Sequence, residues 1–137
     1  MSNPKYMLDT DIASYAIRGR TPSVDRMLTS EGGNVCISVI TRAELVYGIQ
    51  VLPTDHQIHL STLRFIDETI TLPWGNEAAD IYADIRHELT TTGRPIGDRD
   101  VMIAAHAISL GAVLVTNNTR HHGRLAPRLQ IENWVDA

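Results

Sequence analysis

Three short stretches, Tyr6-Met7-Leu8, Asn34 to Ser38 and Ala112 to Val115, are apolar on successive residues, and helix-period segments separate them. A strand apolar on both sides needs cover on both sides, as in a parallel sheet flanked by helices. Parallel neighbours also need long crossover connections, which helices supply. The pattern predicts an α/β domain with a mostly parallel central sheet. A chain of 137 residues suits one such domain with one core.

The punctuation between these stretches is explicit. After Leu8, Asp9-Thr10-Asp11 starts a helix capped by Thr10 or Asp11, which runs to about Arg18 and stops at Gly19. Pro22 opens a second helix at the favoured first-turn position, reaching about Ser30. From Ile40 to Val51, Ala43, Val46, Tyr47 and Gln50 mark the core-facing side of a third, widened by Leu45 and Ile49. Further helices are expected over 56–69 and 75–91, with a short strand over 69–72 between them. Gly93-Arg94-Pro95 reads as a loop. The stretch from Asp100 to Leu110 is Ala-rich and apolar nearly all round, so it predicts a buried helix, with Gly111 as its stop. Thr116 to Thr119 is a turn, 120–128 a basic loop, and Leu129 to Ile131 a last strand.

Composition narrows the function classes. Cys36 is the only cysteine, which rules out an internal disulfide and a cysteine-based zinc site; its apolar neighbours make it a reduced core residue. The net charge of −4 argues against non-specific coating of nucleic acid. It leaves room for a nuclease, whose metal site needs local carboxylates. No apolar run is long enough to span a bilayer, and the N-terminus lacks a secretory pattern, so a cytoplasmic location without membrane contact is expected. Lys5 is the only lysine, and the other eleven basic residues are arginine, which contacts phosphate in bidentate fashion.

Ligands of an open parallel sheet bind outside the carboxyl ends of its strands. Asp9 ends the first strand, Asn118 follows the Ala112–Val115 strand, Asp100 begins the buried helix, and Glu44 lies in the first turns of the third helix. Singly, each has a structural explanation: caps for Asp9, Asp11, Asp98 and Asp100, a solvated helix position near Arg42 for Glu44, a turn for Asn118. Together they form an acidic set that cannot stay ionised at close range without a cation. All-oxygen ligands favour Mg2+ or Mn2+. The chemistry that follows is phosphodiester hydrolysis, in which the cation acidifies water and neutralises charge on phosphate and leaving oxygen. His106 reads as a core histidine, and His121-His122 as a solvated pair or a phosphate contact. Thr116 either satisfies a strand end or bonds a water at the site. Trp74 and Trp134 read as packing residues.

These motifs resemble a known family. Met7-Leu8-Asp9-Thr10-Asp11-Ile12 and Ile37-Ser38-Val39-Ile40-Thr41-Arg42-Ala43-Glu44-Leu45 are similar to the first two signatures of PIN-domain ribonucleases, and 92–107 is similar to the third. Leu114 to Arg120 and Glu132-Asn133-Trp134 resemble the end of the VapC toxin subgroup. The ordered set spans nearly the whole chain, so the resemblance implies a single PIN domain over 1–137, an α/β/α sandwich. It further implies a toxin of a bacterial type II (VapBC-like) toxin–antitoxin module. Such a protein is an Mg2+- or Mn2+-dependent endoribonuclease acting on RNA, often one tRNA, with the initiator tRNA as a candidate. It forms a homodimer, is neutralised by a cognate VapB-like antitoxin, and meets operator DNA only through that antitoxin. Carried over by position, Asp9, Glu44 and Asp100 match the acidic metal positions, and Asn118 a neighbouring one that is acidic in many PIN domains. Two positions depart from the pattern: the family usually has Asn at Asp11, and Glu-Phe where His121 and His122 stand. Asp98 or Asp11 is then the substitute for the missing acid.

Two other classes share some features. Asp9-Thr10-Asp11 after a strand resembles the nucleophile motif of haloacid-dehalogenase-like phosphotransfer enzymes, but these need a lysine beyond the central strands, and Lys5 precedes the first. A non-catalytic RNA- or partner-binding PIN domain is the other, against which the retained acids argue.

Overall fold

In the computed structural model, residues 3–94, 96–125 and 127–135 are described. Five parallel strands form one sheet in the order β3-β2-β1-β4-β5: β1 (Tyr6–Leu8), β2 (Val35–Ser38), β3 (Ile70–Leu72), β4 (Val113–Val115) and β5 (Ile131–Glu132). The helices α1 (Thr10–Arg18), α2 (Pro22–Glu31), α3 (Val39–Gly48), α4 (Gln57–Glu68), α5 (Asn76–Thr91), α6 (Asp98–Leu110) and α7 (Thr119–His122) fill the connections among the described residues.

Strand alternation splits the core into two layers. Tyr6, Leu8, Val35, Ile37, Val113 and Val115 face one side, where Ile12, Ala13, Val24 and Trp134 cover them. Met7, Cys36 and Leu114 face the other, against Ile103, Ala104 and Ala107 of α6. Behind α6, Ile85 and Leu89 of α5 pack on Val101 and Ala105. Each fully buried aliphatic side chain contributes roughly 1.5–3 kcal/mol, and α6 is buried on both sides because it is the middle layer of that half. Gly19 and Gly111 close α1 and α6 at φ 65° and 66°, a left-handed cap where a Cβ is strained.

Several expectations need correction. The cap of α1 is Asp9, not Thr10 or Asp11: its carboxylate accepts from Thr10 N. The core side of α3 is Thr41, Leu45 and Ile49, while Ala43 and Gln50 are exposed and Tyr47 is 77% exposed. Residues 120–128 are not wholly loop, since α7 and a 3₁₀ turn over Gly123–Leu125 lie there. The last strand starts at Ile131, and Leu129 is a buried core residue ahead of it. Pro95, in the expected loop 93–95, lies outside the described residues.

The chain leaves β1 towards β2 on one side and later returns to place β4 on the other. The carboxyl ends of β1 and β4 therefore flank the point where strand order reverses, the position at which open α/β sheets bind ligands. Two backbone bonds extend the ladders past the strands there. Asp9 N donates to Val115 O at 2.8 Å, and Thr116 N to Glu132 O at 2.9 Å. Asp9 and Thr116 are thus fixed by the sheet itself.

Candidate active site

Asp9 is 4% exposed, and both carboxylate oxygens accept a hydrogen bond. Oδ1 takes Thr10 N at 2.9 Å, and Oδ2 takes the Thr116 hydroxyl at 2.8 Å. Burial pushes its pKa up from 3.8 to about 6; the nearby His122 opposes the rise, the Asp11 charge adds to it, and the two hydrogen bonds restrain it.

Asp100 stands in the first turn of α6, where the helix dipole favours an anion. Gly97, at the cap, adjoins it: a Cβ there would meet Asp100 Oδ2 at 3.7 Å, an ordinary contact. Glu44 is half-buried across the same cavity, which Gly97, Asp98, Arg99 and Asp100 also line. The Thr10 hydroxyl donates to Glu44 Oε1 at 2.6 Å. Since that proton is committed, the buried Thr41 hydroxyl donates to Thr10 Oγ1 at 3.1 Å. Arg99 Nε lies 3.6 Å from Glu44 Oε2, but the arginine side chain is 69% exposed, so the pair adds little stability.

Asp11 belongs to the same neighbourhood. Its oxygens accept from Ile12 N at 2.7 Å and Asn117 N at 3.1 Å. Burial raises its pKa, with the Asp100 charge contributing in the same direction. Asp98 borders the cavity, but its Oδ1 is engaged elsewhere: it accepts from the Tyr82 hydroxyl at 3.2 Å and lies 3.9 Å from Arg86 Nε. Of the two candidate substitutes for a missing acid, Asp11 has the better position.

Asn118 lies past β4 as expected, half-buried, but its side-chain amide meets His121 Nδ1 at 3.0 Å. Its backbone shapes the loop: Asn118 N donates to Thr116 Oγ1 at 3.0 Å, and Asn118 O faces His122 Nδ1 at 3.0 Å. The expectation of a solvated histidine pair fails for His122, which is fully buried with Nε2 3.9 Å from Asp9 Oδ2. Asp9, Asp100 and His122 each offer a donor atom within 4.8 Å of the others. In the sequence His122 stood out only as half of a pair, solvated or in contact with phosphate, and not as a donor beside Asp9. The only available signal was the two-residue spacing of His-His from the turn after β4. His106 is the expected core histidine, bonded through Nδ1 to the Ser38 hydroxyl at 2.8 Å.

Lys5 lies at the amino end of β1, opposite Asp9, over the Tyr6 ring at 5.1 Å. It cannot serve the carboxyl edge as a phosphotransfer lysine would.

An all-parallel sheet that collects carboxylates from the end of β1, from α3 and from α6 around its reversal point defines an α/β protein with a site suited to a divalent cation. The PIN domain model matches residues 6–126. A tRNA(fMet)-specific endonuclease VapC from Shigella flexneri is 37% identical over 130 residues, covering 95% of this chain and 98% of the relative. Ribonuclease VapC2 from Haemophilus influenzae is 37% identical over 131 residues, covering 96% and 98%. Among solved structures, VapBC2 from Rickettsia felis bound to a promoter DNA fragment superposes with a TM-score of 0.84 at 34% identity, covering 94% of this chain and 98% of that one. DNA-bound VapBC from Salmonella typhimurium gives 0.81 at 33%, covering 98% and 99%. The chain belongs to the PIN-domain family, among the VapC ribonucleases.

Proposed function

We propose that this chain, as one PIN domain over 1–137, is the toxin of a VapBC-type pair and hydrolyses RNA phosphodiester bonds with Mg2+ or Mn2+. The observation that carries this reading is the Asp9 carboxylate, buried and aligned by two hydrogen bonds at the sheet's reversal point, with a donor atom of Asp100 within 4.8 Å of it and Glu44 joined to the neighbouring Thr10 hydroxyl. Clustering and burial penalise the charged form of such carboxylates, and a cation opposite them removes that penalty. The carboxylates of Asp9 and Asp100 would hold the ion, with Glu44 at the edge of the site. Bound there, a divalent cation would supply acidification of water and neutralisation of charge on the phosphate.

The chain's own residues supply alignment. Thr116 and Thr10 N fix the Asp9 carboxylate plane, and the Thr41–Thr10–Glu44 relay fixes Glu44. Asn118 acts as a positioning residue through the loop that carries His121 and His122. Arg99 is exposed beside Glu44 and has guanidinium donors to offer a phosphate.

Relatives named as tRNA(fMet)-specific endonucleases make a tRNA, and the initiator tRNA first, the substrate to try. The similar solved structures are DNA-bound VapBC complexes, which supports a VapB-like antitoxin as the partner; in this reading the toxin is a homodimer and meets DNA only through that antitoxin. No helix among the described residues is long and apolar enough to cross a membrane, in keeping with action in the cytoplasm on RNA.

The test is cleavage of a tRNA panel by the purified chain, with Mg2+ or Mn2+ and with chelator, beside Asp100→Asn. Cleavage that needs the ion and disappears in the variant supports the reading. Cleavage indifferent to both would overturn it.

A further inference from the structure

His122 is fully buried, and its Nε2 has no hydrogen-bond partner among the described residues. Buried polar atoms rarely stay unpaired, so this one calls for an explanation. Its ring is oriented from the other side. Nδ1 faces the Asn118 carbonyl oxygen at 3.0 Å and Thr116 Oγ1 at 3.5 Å. The carbonyl can only accept, and the Thr116 proton is committed to Asp9 Oδ2. Both neighbours therefore demand a proton on Nδ1, which in the neutral ring leaves a lone pair on Nε2. That lone pair lies 3.9 Å from a carboxylate oxygen of Asp9, too far for a hydrogen bond. Two acceptors facing each other across this gap fit one cation between them. Metal–nitrogen and metal–oxygen bonds of about 2.0–2.2 Å allow donor atoms on opposite sides of an ion to be separated by roughly 4 Å. Asp100 offers a third donor atom within 4.8 Å. An Nδ1–H···O=C bond that fixes the tautomer of a ligating imidazole is a recurring outer-shell arrangement.

We propose that His122 is a nitrogen ligand of the divalent cation, and that the mixed donor set of Asp9, Asp100 and His122 selects Mn2+ over Mg2+. The inference rests on the metal-site reading above and goes beyond it. Mg2+ prefers oxygen ligands and retains water, whereas imidazole raises affinity for the transition ions. An all-carboxylate site has no such bias.

The experiment is pulsed electron paramagnetic resonance of the Mn2+-loaded chain, with Mn2+ and Mg2+ binding titrated on the wild type, His122→Phe, His122→Gln and Asp100→Asn. We expect ¹⁴N coupling from a directly bound imidazole in the wild type, lost in both His122 variants. Mn2+ affinity falls at least about tenfold in those variants, and Mg2+ affinity changes less. Mn2+ bound through Asp100 without nitrogen coupling overturns the proposal and leaves the carboxylate site standing; so does an equal loss of both ions in the His122 variants. Mn2+ binding unaffected by Asp100→Asn overturns the site itself. The wild-type spectrum decides the matter even if a variant fails to fold.

Discussion

Burial holds the Asp9 carboxyl above the usual carboxylate range, and this makes the metal-free protein pH-sensitive in a defined direction. The folded pKa of about 6 lies above the unfolded 3.8, so the group's contribution is fully present below about pH 4 and lost as pH rises through 6. The loss is on the order of 3 kcal/mol at most. His106 works oppositely: burial lowers its pKa, so its contribution holds above 6.5 and is lost as pH falls. Comparing the wild type with Asp9→Asn isolates the first effect. Urea denaturation without metal should show the variant gaining on the wild type between pH 5 and 7.5; parallel curves would reject the assignment. The rise in Tm on adding Mn2+ should be larger at pH 7 than at pH 5, because binding offsets the ionisation cost. Thr116→Val removes the donor to Asp9 Oδ2 and should cost about 1–3 kcal/mol. A loss under 0.5 kcal/mol by the same measurement would mean that the bond is not formed. Asp9, Glu44 and Asp100 were legible because strand ends and helix starts are marked in sequence. His122 was not, because the burial of a loop histidine depends on α7 folding back over β5, which no local pattern encodes.

Elements differ in how much of their packing they announce. The stretch that became α6 is apolar nearly all round, and it packs on the sheet through Ile103, Ala104 and Ala107 and on α5 through Val101 and Ala105. Its position sets where Asp100 falls. Ile103→Ala should therefore lower stability by about 2–5 kcal/mol and also weaken Mn2+ binding, although residue 103 touches no ligand. An intact Mn2+ affinity in a clearly destabilised variant would show that Asp100 is held from elsewhere. The third helix was read less well because its core stripe includes a polar residue. Thr41 is buried since its hydroxyl bonds Thr10, whereas Tyr47 counts towards an apolar face but lies in solvent. Hydrophobic periodicity sees residue type, and here a hydrogen bond across to α1 decides the facing. The strand placed at 129–131 slipped for a related reason: Leu129 is buried core, but the ladder pairs Leu114 with Ile131.

At the scale of the molecule, the order β3-β2-β1-β4-β5 makes the site a seam between two halves of the sheet. Asp9 and Glu44 arrive from the β1–α3 half, and Asp100, Thr116 and His122 from the α6–β4–α7 half. Backbone pairing of β1 with β4 holds the halves together, and the side chains beyond the strand ends add the Asp9–Thr116 bond. The like charges of Asp9, Asp11 and Asp100 oppose closure there. A cation reverses the sign of that local interaction, so its effect should appear on both sides of the seam at once. Amide hydrogen exchange tests this directly. Addition of Mn2+ should slow exchange at 9–12, at 98–101 and at 116–122, while the end of α2 over 27–31, which leads to the amino end of β2, stays unchanged. Protection confined to the α6 start would mean that the ion sits on Asp98 and Asp100 alone, and the two halves would not be joined through it. Protection on both sides that disappears in Asp100→Asn would establish that one ion bridges Asp9 and Asp100, 91 positions apart in the chain. Packing alone brought these residues together.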